Sequence, residues 1–292
     1  DCSYCILQTY YHPPILQLYV NQEDLEAELA ESLPRQAFRR IGTGEFSDSL
    51  IWDGLTDMTA KLVRHFARQD HALLELKSKT ARVGHLAELP HRRRTVMSWS
   101  LNTPAVIRSN ERGSASLSAR LQAARNCERW GYPLAFHLDP LVIYPGCEED
   151  YRRLIQSLFE HASPGNIVWI SMGSLRYMPA LGPVMRKRFP NSTIPYGEMI
   201  SGLDGKQRYF KPLRMDIYRR LAGWIRERAP EVCLYLCMED REVWEFSLGR
   251  DPGGDEGLGR LLDRSAINVC GLSPASRSMV PWGHGIERAG GP

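Results

Sequence analysis

No stretch of this 292-residue chain approaches the ~18 consecutive apolar residues that a membrane span requires. There is no signal-peptide pattern, no internal repeat of fixed period, and no G-x-G-x-x-G after an early strand, which argues against a doubly wound nucleotide fold. Charge of one sign is nearly absent as an excess. A net charge of +3 is too small to demand a nucleic-acid partner by itself. Cysteines are few, odd in number (seven) and mostly far apart, unlike a secreted disulfide framework, so a reducing cytoplasm is the expected setting. The basic run His91-Arg92-Arg93-Arg94 reads as a solvated turn entering a strand, with phosphate contact as its alternative.

Against this background one close cysteine pair stands out, Cys2-Ser3-Tyr4-Cys5. Two thiolates at C-x-x-C spacing can grip one soft metal centre, and an aromatic between them can shield a planar group. A structural zinc would need two further ligands at tight spacing. His12 is the near candidate, and no second C-x-x-C exists. A thiol redox pair would favour a helix start.

The periodicity alternates helices and strands in units of about 30 residues. Leu16 to Val20 reads as a β-rich run. Asn21 then caps a helix with Asp24 at the reciprocal position and Leu25, Leu29 and Leu33 on one face. Strands are expected at 38–41, 72–76, 95–99, 133–138, 167–171 and 232–237, and helices at 55–67, 116–130, 149–161, 180–188 and 212–228. Several strands are almost continuously apolar, which suits burial on both faces. The expected fold is α/β, a partial (β/α) TIM-like barrel over residues 1–250, followed by a short helix and a disordered tail in 251–292. In such a fold chemistry gathers at the carboxyl ends of the strands, which carry Glu45, Lys79, Ser100, Asn102, His137, Asp139 and Cys237.

The stretch from Cys2 to Asn21, with its Leu7-Gln8 and a run ending Val20-Asn21, resembles the cluster loop of the spore photoproduct lyase family in the radical S-adenosylmethionine superfamily. That pattern is C-x-x-x-C-x-aromatic-C, so Cys2 and Cys5 take the second and third ligand places. The first cysteine and the strand before it are expected upstream of Asp1. The blocks Ser47-Asp48, Asp53, Leu55-Thr56, Ser78-Lys79 and Ser100-Leu101-Asn102 continue the likeness to about residue 245.

The resemblance implies a [4Fe–4S] cluster and S-adenosylmethionine, with Cys2 and Cys5 as metal ligands. Tyr4, Gly44, Glu45, Ser47, Lys79, Ser100 and Asn102 would embrace the cofactor. It implies carbon–carbon bond cleavage in a pyrimidine lesion of DNA, and a one-electron reductant such as flavodoxin or ferredoxin. A cytoplasmic monomer is expected. Arg208 and Tyr209 fall where the family has a basic, aromatic hairpin near the lesion. Two departures stand out: the family has a hydrogen-donating cysteine where this chain has Glu45, and a relay tyrosine where it has Ile6. Cys237, with Tyr235 two positions earlier, is the candidate replacement. A different substrate, or a non-catalytic metal or nucleic-acid binding module, is the alternative.

Overall fold

Strands apolar on both faces need cover on both sides, and this chain provides it with two unequal layers. The structure is a computed structural model that describes residues 1–10, 17–32 and 38–272. Its elements in chain order are α1 (Leu7–Tyr10), α2 (Gln22–Ser32), β1 (Arg39–Gly42), α3 (Met58–Phe66), β2 (Ala72–Ser78), β3 (Thr95–Ser100), α4 (Pro104–Asn110), α5 (Leu117–Arg129), β4 (Leu134–Leu141) and α6 (Cys147–His161). There follow β5 (Ile167–Ser174), β6 (Arg176–Tyr177), α7 (Leu181–Arg188), β7 (Ile200–Ser201), β8 (Gln207–Arg208), α8 (Lys211–Arg228), β9 (Leu234–Leu236), α9 (Arg241–Leu248) and α10 (Gly254–Cys270). Six strands run parallel in the order β1-β2-β3-β4-β5-β9 and curl into the half-barrel the sequence implies. A small antiparallel sheet, β6-β8-β7, stands beside it.

One face of each strand packs under the surrounding helices. Leu74, Leu76, Met97, Trp99, Phe136, Leu138, Ile170, Met172, Leu234 and Leu236 join Leu121 and Ala124 of α5, Leu154 and Leu158 of α6 and Leu221 and Ile225 of α8 in one core. Because strand side chains alternate, the intervening residues form the opposite face. At its amino end this face is apolar, and α10 covers it: Leu73, Val96, Ala135, Trp169 and Cys233 meet Leu262, Ala266 and Cys270. One step further along come Glu75, Ser98, His137, Ser171 and Tyr235, and a second step brings Lys77, Ser100, Asp139, Gly173 and Cys237. The sheet thus grades from apolar to charged toward the strand carboxyl ends.

Helix α10 is fastened at several points. Arg40 of β1 pairs with Asp263 at 2.6 Å. Its last carbonyls receive Arg93 (Val269 O, 2.8 Å) and Arg94 (Cys270 O, 3.2 Å), cations placed where the helix dipole favours them. Arg93 also reaches Gly131 O and Asn166, while Arg94 pairs with Asp70 at 2.6 Å and Arg92 donates to Ala67 O. The run His91–Arg94 is therefore a turn entering β3, as expected, but of its four residues only Arg92 stands exposed. Its guanidinium groups are committed to the fold, and Arg92 and Arg93 adopt positive φ to aim them.

Two expectations near the start change. Residues 17–20 form no strand, and on the expected face of α2 Leu29 is buried while Leu25 is exposed. Asn21 meets Asp24 side chain to side chain at 2.9 Å. His12, Leu16, Leu33 and the tail from 273 lie outside the described residues. Helix α4 was missed although Thr103 caps it, with Pro104 at the first helical position, and α9 was missed although Asp240 caps it.

Candidate active site

The C-x-x-C turn is pinned to the segment that ends α4. Cys2 forms a β-bridge with Glu111, and Ser3 bonds Asn110 through both its backbone N–H and its hydroxyl at 2.8 Å. The Cys5 N–H closes the turn onto Cys2 O at 3.2 Å, and Gln8 donates to the carbonyls of Cys2 and Ser3. Both thiols are free and half-buried.

Lys79, just beyond β2, points into this turn. Its Nζ lies 3.5 Å from Cys2 Sγ, 2.9 Å from Tyr4 Oη and 2.9 Å from Glu111 Oε1, and 4.9 Å from the centre of the Tyr4 ring. The Tyr4 hydroxyl donates to Glu111. The other Glu111 oxygen receives Arg120 at 2.5 Å. Arg120 is fully buried and also donates to Ala115 O, Ser100 O and Ser114 Oγ.

One buried carboxylate is thus shared by two cations, and the excess positive charge faces Cys2. Burial would raise the Glu111 carboxyl, but the charges of Lys79 and Arg120 outweigh it and hold the group below the usual carboxylate range. Burial, reinforced by Glu111, pushes the Tyr4 phenol well up. Burial also raises the Cys2 thiol, with Lys79 opposing.

The loop after β1 lies directly on β2. A Cβ on Gly44 would stand 2.7 Å from Lys77 Cβ, so this position admits glycine alone without a shift. Asp48 fixes the loop by accepting from Ser78 Oγ and the Lys79 N–H, both at 2.8 Å. Ser49 does the same through the Lys77 N–H at 2.9 Å. This leaves Glu45 and Ser47 exposed. Among the described residues the Glu45 carboxylate has no hydrogen-bond partner and is available to a cation. Asp53 is engaged by Thr59 and His85.

At the end of β3, Ser100 is half-buried. Asn102, expected as a cofactor contact, is only 1% exposed. Its amide donates to Pro140 O, and its oxygen accepts from the Thr103 N–H and the Tyr151 hydroxyl, so the oxygen is fully used and the side chain is turned into the fold.

Across the graded face, His137 bridges Glu75 and Ser171, at 2.7 Å to each. Burial would raise Glu75, but the charge and hydrogen bond of His137 hold it at about 2. The hydroxyl of Tyr235 reaches the same Ser171, and burial raises its pKa. Above this row Arg176 clasps Asp139 with two bonds of 3.1 Å and sends one nitrogen to Cys237 Sγ at 3.1 Å. Gly173 makes room for Asp139, whose Oδ2 would lie 2.6 Å from any Cβ there. Burial and Asp139 push the Cys237 thiol up to about 12.

The hairpin β7–β8 exists, yet its two expected nucleic-acid contacts face inward. Arg208 is 8% exposed and spends its guanidinium on Asp204 (2.5 Å) and Met238 O (3.1 Å). Tyr209 is 6% exposed, packs against Val142 and Leu181, and accepts from the Ile143 N–H. Neither can stack on a base or reach a phosphate in this arrangement. Among the residues that do face solvent here are Ile200 and Ser201 of β7, Leu203 at the turn and Phe210 after β8.

The expected residues Cys2, Cys5, Tyr4 and Lys79 are thus brought together, Glu45 and Ser47 stand on the neighbouring loop, and Cys237 and Tyr235 line the sheet. Sequence reasoning missed Glu111, Arg120, Glu75 and Arg176. Arg120 had a legible signal: it falls on the apolar stripe Leu117, Leu121, Ala124 of α5, where a charge needs a buried partner. For a metal, the donor set suits a soft thiophilic centre: two free thiols in one turn, with a cation at the first. Among the described residues, no third Cys, His or carboxylate joins them.

Residues 1–209 match the sequence profile of the family described as spore photoproduct lyase. The spore photoproduct lyase of Bacillus subtilis (strain 168) is 30% identical over 203 residues, 68% of this chain and 59% of that protein. The spore photoproduct lyase of Geobacillus sp. (strain Y412MC61) is 29% identical over 202 residues, again 68% and 59%. The chain therefore spans under two thirds of the length of these relatives. A solved spore photoproduct lyase complexed with dinucleoside spore photoproduct superposes with TM-score 0.74 at 24% identity, covering 81% of this chain and 73% of that one. A double mutant of that enzyme with bound AdoMet and dinucleoside spore photoproduct gives TM-score 0.73 at 25% identity with the same coverage.

Proposed function

The chain belongs to the spore photoproduct lyase family, and from that membership we propose that it is a radical S-adenosylmethionine enzyme that cleaves a carbon–carbon bond in a pyrimidine lesion of DNA. The carrying observation is the buried junction in which Lys79 joins Cys2, Tyr4 and Glu111 at the carboxyl end of a parallel half-barrel. When bound, a [4Fe–4S] cluster with S-adenosylmethionine supplies one-electron, hydrogen-abstracting chemistry.

Cys2 and Cys5 are two of the thiolates that would hold the cluster. The unpaired Glu45 carboxylate suits the ammonium group of the cofactor, and Gly44 lets the backbone come close. Ser47 and Ser100 offer hydroxyls on the same side. Cys237 stays a neutral thiol at physiological pH, the form that can give up a hydrogen atom, and the Arg176–Asp139 clasp fixes its sulfur. Tyr235 lies one step below it on the same face. A flavodoxin or ferredoxin would supply the electron, in the cytoplasm.

The test is anaerobic reconstitution with iron and sulfide, followed by reductant, cofactor and dinucleoside spore photoproduct. Formation of 5′-deoxyadenosine together with restored thymines supports the proposal. One equivalent of zinc and no cofactor cleavage refutes it. A second reading, a different substrate, is favoured by Glu45 and Ile6 at the family's donor positions and by the inward-facing Arg208 and Tyr209. It predicts cofactor cleavage without repair of the lesion.

A further inference from the structure

The turn that carries Cys2 and Cys5 is flanked on its outer side by cations that the proposed chemistry leaves unused. Helix α7 ends in Arg186-Lys187-Arg188, all exposed. Leu181 and Met185 seat this helix against Val106 of α4, in a small core of its own. Arg188 donates to the side chain of Gln8, and Gln8 donates in turn to the carbonyls of Cys2 and Ser3. Arg112 is exposed as well, and it follows Glu111, the residue that bridges to Cys2. The guanidinium groups of Arg112 and Arg188 both lie over the buried Phe189 ring, 4.7 and 5.4 Å from its centre. The ring thus holds two planar cations ready-oriented beside the turn. Among the described residues a single ion pair reaches these four side chains, Asp1 to Arg188 at 3.2 Å.

We infer that this basic surface, made by Arg112, Arg186, Lys187 and Arg188, docks an acidic electron-carrier protein against the cluster turn. The inference rests on the proposed function, which needs an electron delivered to a centre on Cys2 and Cys5. The step is a bare electron transfer: the carrier is oxidised by one electron, the iron–sulfur unit is reduced by one, and no bond forms or breaks. Such transfer falls steeply with distance, so the useful docking face is one that touches the turn itself, as Arg188 does through Gln8. A carrier of net negative charge is steered toward a cationic patch, and its carboxylates match the pre-oriented guanidinium forks. Four cations would also attract a phosphate backbone. A DNA lesion, however, has to meet the polar face of the sheet where Cys237 stands, and these cations belong to a helix packed on a separate core.

The test uses flavodoxin as the probe, on the full chain as wild type, as the double variant Arg112→Glu/Lys187→Glu and as its neutral counterpart Arg112→Gln/Lys187→Gln. Calorimetry with the cluster-free protein reads docking alone. The charge-reversed variant is expected to bind flavodoxin about tenfold or more weakly, the neutral one to fall between, and wild-type affinity to drop with added salt. In the reconstituted protein, stopped-flow absorbance should show reoxidation of reduced flavodoxin slowed by a similar factor. Reduction by a small reductant, photoreduced deazaflavin, should proceed at the wild-type rate. Flavodoxin affinity and rate unchanged by charge reversal overturn the inference and leave the proposed function standing. So does an equal loss with deazaflavin, which would mark a damaged turn, and so does a variant that keeps flavodoxin but loses lesion-bearing DNA. A wild-type protein that takes up no iron and sulfide overturns the proposed function and the inference with it.

Discussion

Replacing Arg120 by Met tests whether the buried ionic junction behind Cys2 holds the fold together. Arg120 has no solvent exposure, and the side chain of Glu111 retains only 2%. Met matches the stem of the arginine but removes the donors to Glu111, Ser114, Ser100 and Ala115 together. Removing one member of a buried ion pair typically costs about 3–5 kcal/mol, because the other charge is left stranded. Lys79 still neutralises one Glu111 oxygen at 2.9 Å, which places this case near the lower end, about 3 kcal/mol. For a chain of this size each kcal/mol moves the midpoint of thermal unfolding by roughly 2 °C, so a drop of about 6 °C is expected. The assay is far-UV circular dichroism of the metal-free protein, with Glu111→Gln and the double variant alongside. The double variant should lose at least about 1 kcal/mol less than the two single losses combined, since each single change strands the other's charge. An Arg120→Met midpoint within 2 °C of wild type, or strictly additive losses, would refute the reasoning.

Glu75→Gln removes a carboxylate held at about 2 against an ordinary 4.5. A depressed carboxyl stabilises the fold above its unfolded value and loses that contribution as pH falls through the folded one. The variant should therefore be less stable than wild type by up to about 3 kcal/mol at neutral pH, the gap closing between pH 4.5 and 2 in urea titrations; a pH-independent gap counts against the His137 pairing. Gly44→Ala forces a methyl to within 2.7 Å of Lys77 Cβ, and overpacking of this kind costs about 1–3 kcal/mol. Calorimetry should show S-adenosylmethionine binding weakened about tenfold or more, and unchanged affinity would mean that the loop is not the cofactor cradle. With its thiol near 12, native Cys237 should react with iodoacetamide at pH 8 about a thousandfold more slowly than an ordinary thiol, as mapped by mass spectrometry. Equal native and denatured rates would remove the case for a protected hydrogen donor.

The half-barrel was legible because its strands are buried on both faces and so read as unbroken apolar runs, bracketed by helices with caps such as Ser116. What escaped was structure whose logic is not periodic. Residues 17–20 are β-prone yet find no partner strand, and α4 and α9 are too short to show a clear stripe. At the site, Cys2, Cys5, Tyr4 and Lys79 could be chosen from spacing and resemblance. Glu111 could not, because its importance comes from being buried against residues 32 and 107 positions away, Lys79 and Tyr4. The inward turn of Arg208 and Tyr209 was equally invisible. A two-residue strand pairs through its backbone whichever way its side chains point, and here Asp204 and the core beneath decide it.

The seating of α10 across the amino-end half of the curled sheet gives the scaffold a floor. Above that floor the same face carries two further side-chain rungs, each spanning two residues or roughly 6–7 Å of strand. The lower is the Glu75–His137–Ser171 row and the upper carries Cys237, held by Arg176. With the apolar end closed by α10, a molecule that meets these polar groups comes from the strand carboxyl ends.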